Sequence, residues 1–403
     1  QGNRWLYPGS IPATEVSIRR PSSPSITSYC GRSRFLQHRM EVIIIIRRER
    51  GALSRPRILI VSRHEVDEAK RTKENLRFDK MIEAFNVGGL EAEHVAPSGM
   101  ASFRRDIASF SPDMTFCSFF RFPDHADGEG YLYEEVVNEG IAWIGSPSST
   151  MELALSKPRI KAQWRLCGIP TPDWFIVRKF QDGSIEGLEQ IQSAQGFPFI
   201  VKPANEGNSR GIDEGSVVRS PMELYARASM IAEEYGEALV ERFVSGGGDS
   251  REFTVAMIGN GSKAIISPVE IKKTVSDSAV ISESDKESQT TRILSIDDAR
   301  LKDKVKSLAQ KVFMTSEARD YSRCDILLHE GKLYAIEMNG QPMVPDRWFE
   351  ACSREAGLDE VQYINAIALA GITSNAKTGH AYISMPQEMV KILPIPILER
   401  LTA

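Results

Sequence analysis

The chain has 403 residues, 41% of them apolar and 26% charged, the balance of a soluble globular protein long enough for about two or three domains. Its formal charge of −4 is unevenly spread: residues 1–55 hold ten arginines against three glutamates, or +7, so the remainder carries −11. An acidic body argues against nucleic acid as a partner. The longest aliphatic run of the head, Val42–Ile46, falls far short of the ~20 residues of a membrane helix, so no membrane partner is expected.

Taken in chain order, residues 1–55 are rich in Arg, Ser and Pro and contain neither Asp nor Lys. That composition fits a targeting segment or an extension upstream of a start at Met40, and the head is expected to be disordered. The expected location is cytoplasmic, or organellar if the head is a transit peptide. Arg57–Ser62 then reads as a strand, followed by a loop holding His64 and Glu65 and a helix to Phe85. Ala92–Ala96, Asp113–Phe119 and Ile141–Ile144 read as further strands, with helices over Phe103–Phe110 and Tyr131–Glu139. Such alternation predicts βαβ units and a parallel sheet over residues 56–155. Ligands bind at the carboxyl ends of such strands, which makes His64 and Glu65 site candidates; the alternative is that they cap the helix that follows.

Lys157–Pro170 reads as one helix with Lys157 and Lys161 a turn apart, a pairing that is usually solvated. Phe197–Ile212 (FPFIVKPANEGNSRGI) begins as a buried strand, places Lys202 at its end, and continues into a loop of small residues with exposed backbone N–H groups. A strand-end lysine beside a glycine-bearing loop suits phosphate, and a hairpin with a solvated lysine is the alternative. Met222–Glu234 is a predicted helix, Ala238–Glu241 and Ser250–Ile258 are predicted strands, and Gly246–Gly248 is a turn. Lys272–Arg292 is polar without apolar period and reads as a long lid-like loop before a helix over Asp297–Met314.

Ser322–Leu328 and Lys332–Met338 form a predicted hairpin. Asp325 lies on its first strand, and Glu337 and Asn339 share a face at the end of its second. Three oxygen ligands from one hairpin suit Mg²⁺, and Arg323 beside them suits a phosphate or a developing oxyanion. The alternative, a salt-bridge set on a solvated face, is disfavoured because the two acids sit among Ile, Leu, Tyr and Ala. Cys30, Cys117, Cys167, Cys324 and Cys352 are odd in number and lack a CxxC pair, which indicates structural thiols.

The three stretches FPFIVKPANEGNSRGI, ALVERF…SREFTVAMIGN and RDYSRCDILL…YAIEMNGQP, in that order, resemble the ATP-grasp superfamily, and within it the D-alanine–D-alanine ligase-like branch. The resemblance covers about residues 57–372. It implies α/β plus α+β architecture: an amino-terminal parallel-sheet domain (56–155), a linker helix and central subdomain (156–245) and a carboxyl-terminal subdomain (246–372). The last two would grip ATP, and the tail (373–403) receives no role. By that resemblance Lys161 and Lys202 bind phosphates, with Glu206, Gly207 and Ser209 in the loop over them. Glu241 lies beside adenine, and Glu252 holds the ribose. Asp325, Glu337 and Asn339 bind two Mg²⁺, with Mn²⁺ as the alternative ion. Arg323 steadies the oxyanion and Glu65 receives the amino group of the first substrate.

The implied activity is ATP-dependent ligation of a small-molecule carboxylate and an amine, amino acids or short peptides, through an acyl phosphate; a homodimer stays open. A non-catalytic nucleotide-binding regulatory protein is the rival reading. The chain departs from the family at Asn208, where a serine is usual, and at Gly340–Trp348, where a Ser-Leu pair usually receives the second substrate's carboxylate. These departures imply substrates other than D-alanine; Arg347 is the guanidinium that would replace the pair, and a surface arginine is the alternative.

Overall fold

In a computed structural model the residues described are 54–122, 130–180, 183–207, 210–244, 250–273 and 291–403. Contacts divide the chain into units 1–51 and 52–403, and every described residue belongs to the second. The expectations for residues 1–53, Asn208, Ser209, Gly246–Gly248 and the centre of the polar loop (274–290) lie outside the described residues.

Strands β1 (Arg57–Val61), β2 (Glu91–Val95), β3 (Met114–Cys117) and β4 (Ala142–Ile144) alternate with helices α1 (Glu68–Val87), α2 (Met100–Phe110) and α3 (Leu132–Asn138). The strands form a parallel sheet in the order β2-β1-β3-β4. Strand β1 is an unbroken apolar run because helices cover both sheet faces. Ile58 and Ile60 meet Phe78, Met81 and Phe85 of α1, while Leu59 and Val61 meet Phe103 and Ile107 of α2. Helix α4 (Ser148–Leu155), which the sequence reading omits, leads into α5 (Lys157–Leu166).

The second sheet comprises β5 (Trp174–Lys179), β6 (Ile185–Glu186), β7 (Phe199–Pro203), β8 (Val217–Val218) and β9 (Glu237–Arg242), in the antiparallel order β6-β5-β9-β7-β8. Helix α6 (Leu188–Ser193) joins β6 to β7, and α7 (Pro221–Tyr235) covers one face through Leu224, Ala228 and Ile231. The third sheet, β12-β11-β10-β13-β14, is also antiparallel. Its strands are β10 (Arg251–Ile258), β11 (Ile265–Lys273), β12 (Thr291–Leu294), β13 (Tyr321–His329) and β14 (Lys332–Asn339). Lys272, Lys273, Thr291 and Arg292 therefore belong to strands and not to the predicted loop. Helix α8 (Ala299–Thr315) packs on the face of Phe253, Val255 and Met257. Helices α9 (Arg347–Glu355) and α10 (Glu360–Thr378) share the opposite core with Ile58, Ile60 and α1.

The tail is part of that core. Helices α11 (Gln387–Ile392) and α12 (Ile395–Thr402) bury Met389, Leu393, Ile397 and Leu401, spaced four apart in sequence. At Gly259 (φ +103°) a Cβ would approach Leu401 to 2.7 Å, so the β10 end closes on the tail only with glycine there. Of the cysteines, Cys117, Cys324 and Cys352 are buried free thiols and Cys167 is exposed.

Candidate functional site

The second sheet builds one half of the site by alternation. Phe199 and Val201 of β7, like Ala238 and Val240 of β9, face the core under α7. Their neighbours Lys202 and Glu241 face the other way. Ile200 pairs with Glu241 and Lys202 lies two residues along, so lysine and glutamate are diagonal neighbours within side-chain reach. Their ammonium and carboxylate are 3.1 Å apart. Helix α5 supplies Lys161, whose Nζ lies 2.6 Å from the second Glu241 oxygen and donates to Thr171 Oγ1 at 2.8 Å. One turn earlier, Lys157 donates to the Glu206 carbonyl.

Exposures of 5% for Lys157, 0% for Lys161, 4% for Lys202 and 3% for Glu241 exclude the solvated alternatives. Burial pushes the Lys161 ammonium down to about 8, against the pull of Glu241. Burial likewise lowers Lys157, with Glu337 opposing. For Glu241 burial acts upward, but Lys161 and Lys202 outweigh it and hold the carboxyl below its usual value. Three dry ammonium groups against one carboxylate leave uncompensated positive charge, which a polyanion would neutralise.

The β13–β14 hairpin builds the other half. Arg323 pairs with Asn339 and Asp325 with Glu337, but Ile326 pairs with Ala335, so Ile336 is an extra residue in the ladder. This bulge lets Ala335 and Met338 both face the α8 core although they are three apart. Glu337 and Asn339 consequently lie opposite Asp325 and Arg323. Thr254 Oγ1 donates to Asp325 Oδ1 at 2.8 Å, and the Gln341 amide donates to Asn339 Oδ1 at 3.0 Å. The Arg323 guanidinium lies 3.3 Å from Asp346, 3.8 Å from Asp325 and 5.1 Å from the Trp348 ring centroid. The charge of Glu337 acts on both Lys157 and Lys161, so the acidic and basic groups lie near one another. Among the described residues no three His, Cys, Asp or Glu side chains gather as a metal cage. Two carboxylates and an amide oxygen suit a hard cation that fills its remaining positions with water and phosphate oxygens.

The other candidates are more dispersed. Glu206 directs its carboxylate to Arg210 at 3.3 Å, Gly207 closes the described part of the loop, and Ser209 lies beyond it. Glu252 is half-buried, opposite Leu327 on β13 and Ile271 on β11. Glu65 accepts the Asp67 amide at 2.9 Å, within its own loop. Arg347 is exposed, as its reading as a surface arginine has it, and donates to the Thr291 carbonyl and hydroxyl of edge strand β12. Sequence reasoning gave no role to Lys157, Thr254, Gln341 or Asp346. Gln341 ties the hairpin to the end of β3 by donating to the Cys117 carbonyl. Asp346 caps α9, a pattern readable from an Asp three residues before Phe349.

The family model described as "D-ala D-ala ligase C-terminus" matches residues 163–368, half of the chain. "Uncharacterized protein y4sG" of Sinorhizobium fredii is 28% identical over 209 residues, 50% of this chain and 58% of that protein. "D-alanine--D-alanine ligase A" of Bacillus cereus is 24% identical over 214 residues, 53% of this chain and 66% of that one. The chain thus spans less than two thirds of either relative. Among solved structures, the D-alanine--D-alanine ligase from Bacillus anthracis complexed with ATP superposes with a TM-score of 0.61 at 18% identity, covering 81% of this chain and 100% of that one. The VanG D-Ala:D-Ser ligase from Enterococcus faecalis gives 0.61 at 17% identity, covering 79% and 100%.

Proposed function

Since the chain belongs to the D-ala D-ala ligase C-terminus family and has the ATP-grasp fold, we propose that it is an ATP-dependent carboxylate–amine ligase. The observation that carries this reading is a buried group with excess ammonium near a partly buried group with excess carboxylate. A nucleotide triphosphate with a divalent ion satisfies both. Lys157, Lys161 and Lys202 would hold the phosphates, Glu241 and Glu252 would face adenine and ribose, and Glu206 and Gly207 would line the covering loop. Asp325, Glu337 and Asn339 would hold Mg²⁺, which supplies charge neutralisation between phosphate oxygens.

In this reading a substrate carboxylate attacks the terminal phosphorus and ADP leaves. An amine then attacks the acyl phosphate, phosphate departs, and an amide forms. The protein's share is positioning and charge stabilisation, because phosphoryl transfer asks for little else. Arg323, held against Trp348 and two carboxylates, would meet the oxyanion with little reorganisation. Glu65 would receive the donor's amino group.

The test is ADP and phosphate release from Mg·ATP, with and without a pool of D- and L-amino acids and their amides. Release that depends on the pool and yields new amide products supports a ligase. ATP binding without release in any condition selects the regulatory alternative.

A further inference from the structure

Three consecutive residues at the end of the metal hairpin, Asn339 to Gln341, are each tied down by a side chain. Ser322 Oγ donates to the Asn339 carbonyl at 2.8 Å, and Ser146 Oγ, just past β4, donates to the Gly340 carbonyl at 3.1 Å. Gln341 supplies its own tie: Nε2 donates to the carbonyl of Cys117, the last residue of β3. The joint between β3 and the hairpin is dry, with Phe116 stacked on Tyr321 at 5.4 Å between ring centroids and Gln341 itself buried. The backbone N–H of the same Gln341 donates to Asn339 Oδ1 at 3.0 Å.

We infer that Gln341 is a positioning residue of the metal site: by gripping the end of β3 it fixes the N–H that orients the Asn339 amide for the ion. The inference rests on the ligase reading for the metal–nucleotide, and deepens it by naming what holds one of the metal ligands. An asparagine amide turns easily about its last torsion, and its NH₂ end is a donor that cannot ligate a cation. A fixed N–H at Oδ1 selects the usable end and leaves the second lone pair of that oxygen for the ion. Gln341 Oε1 is buried without a hydrogen-bond partner, an arrangement that costs stability. For the fold alone an apolar side chain of that size would serve better, so the donor end accounts for the residue.

The test measures ADP binding to the full chain by calorimetry, once in EDTA and once in excess Mn²⁺, with no turnover involved. The ratio of the two affinities reports how much better protein-bound ADP holds the ion than free ADP does. Gln341→Met keeps the length of the side chain and removes its amide. The expected ratio lies about 10- to 100-fold below that of the wild type, the usual effect of losing a group that orients a metal ligand. Affinity in EDTA, which the lysines would carry, should stay within about twofold. Gln341→Asn, whose amide stops one methylene short of Cys117, carries the same expectation where the methionine variant does not fold.

Glu337→Gln separates the two readings. If it lowers the ratio and both Gln341 variants leave it unchanged, the inference is overturned and the metal reading stands. If Glu337→Gln leaves the ratio at the wild-type value, the metal reading falls and takes the inference with it. A Gln341 variant that loses affinity equally in EDTA and in Mn²⁺ also overturns the inference, since Gln341 then serves the fold alone. Melting gives a second readout: the rise on adding Mn·ADP should be smaller in Gln341→Met than in the wild type, and equal rises overturn the inference.

Discussion

The two halves of the candidate site bury charge in opposite ways. Around Glu241 two lysines, one from a sheet and one from a helix, bond one carboxylate, and Lys157, a turn away on that helix, donates to the Glu206 carbonyl. Around Arg323 one guanidinium serves two carboxylates, with Glu337 across the ladder. Neither cluster balances its own charge, and a buried imbalance opposes folding unless something else supplies the counter-charge. Two imbalances of opposite sign facing each other are what a binding site for a charged composite ligand requires. At the surface, by contrast, there are pairs of one charge with one, as Arg165 with Asp173 at 2.9 Å and Arg57 with Glu91 at 3.2 Å. Those pairs fit solubility and edge register and call for no ligand.

The hardest test of this contrast is Glu337→Gln. It removes charge from the acidic half without changing shape, so turnover should fall by about 10³-fold while circular dichroism and melting temperature hold. Activity within a factor of about ten of the wild type would remove Glu337 from the metal set.

Glu241→Gln tests the basic half. It strands Lys161 and Lys202 in a dry site, which should cost about 3–5 kcal/mol of stability. Asp173→Asn, which breaks the exposed pair, should cost less than about 1 kcal/mol. Urea unfolding of both variants reads the difference. A non-hydrolysable ATP analogue with Mg²⁺ should restore more stability to Glu241→Gln than to the wild type if phosphates neutralise the same lysines. Equal costs for the two variants would show that the interior cluster is as well hydrated as the surface pair.

Much of this architecture was legible in the sequence, for physical reasons that differ by element. RILIV and MTFC read as strands of a parallel sheet because each is mostly apolar, as coverage of both faces requires, and is followed by a helical stretch. The hairpin read correctly because Asp325 and Glu337 alternate with residues that face the core. What did not read was pairing at a distance. Glu241 bonds lysines 39 and 80 residues upstream, through a strand register and a helix docking that no local pattern encodes. The bulge at Ile336 is equally silent, because one extra residue in a ladder leaves the strand's composition unchanged. Of the two readings of Arg347 the structure fits the surface arginine, whose guanidinium goes to the Thr291 carbonyl of edge strand β12. The tail was legible and missed: Met389, Leu393, Ile397 and Leu401 recur every four residues, and the two prolines at 394 and 396 only divide that stripe between two helices.

The finest distinction between the two halves is their response to pH. Lys161 titrates at about 8 because burial disfavours its charge more than Glu241 favours it. Phosphate binds the ammonium form, so affinity for the ATP analogue should be full below about pH 8. It should weaken as pH rises, by about tenfold for loss of one charge-assisted contact. Stability of the ligand-free fold should move the other way. Between about pH 8 and the ordinary lysine range the unfolded chain holds a proton at Lys161 that the folded chain has lost. The unfolded state then binds more protons, and stability rises with pH over that window. Lys157, also lowered by burial, acts in the same direction. Glu241 governs the acid side: its carboxyl lies below the usual value, so the stability it gives is present above the ordinary glutamate range and is lost as pH falls through its folded value. Calorimetric titration of the analogue and urea unfolding of the free protein, both from about pH 7 to pH 9.5, should therefore give slopes of opposite sign. Parallel slopes, or a flat affinity, would mean that Lys161 keeps its proton throughout and that the basic half is not poised as its burial implies.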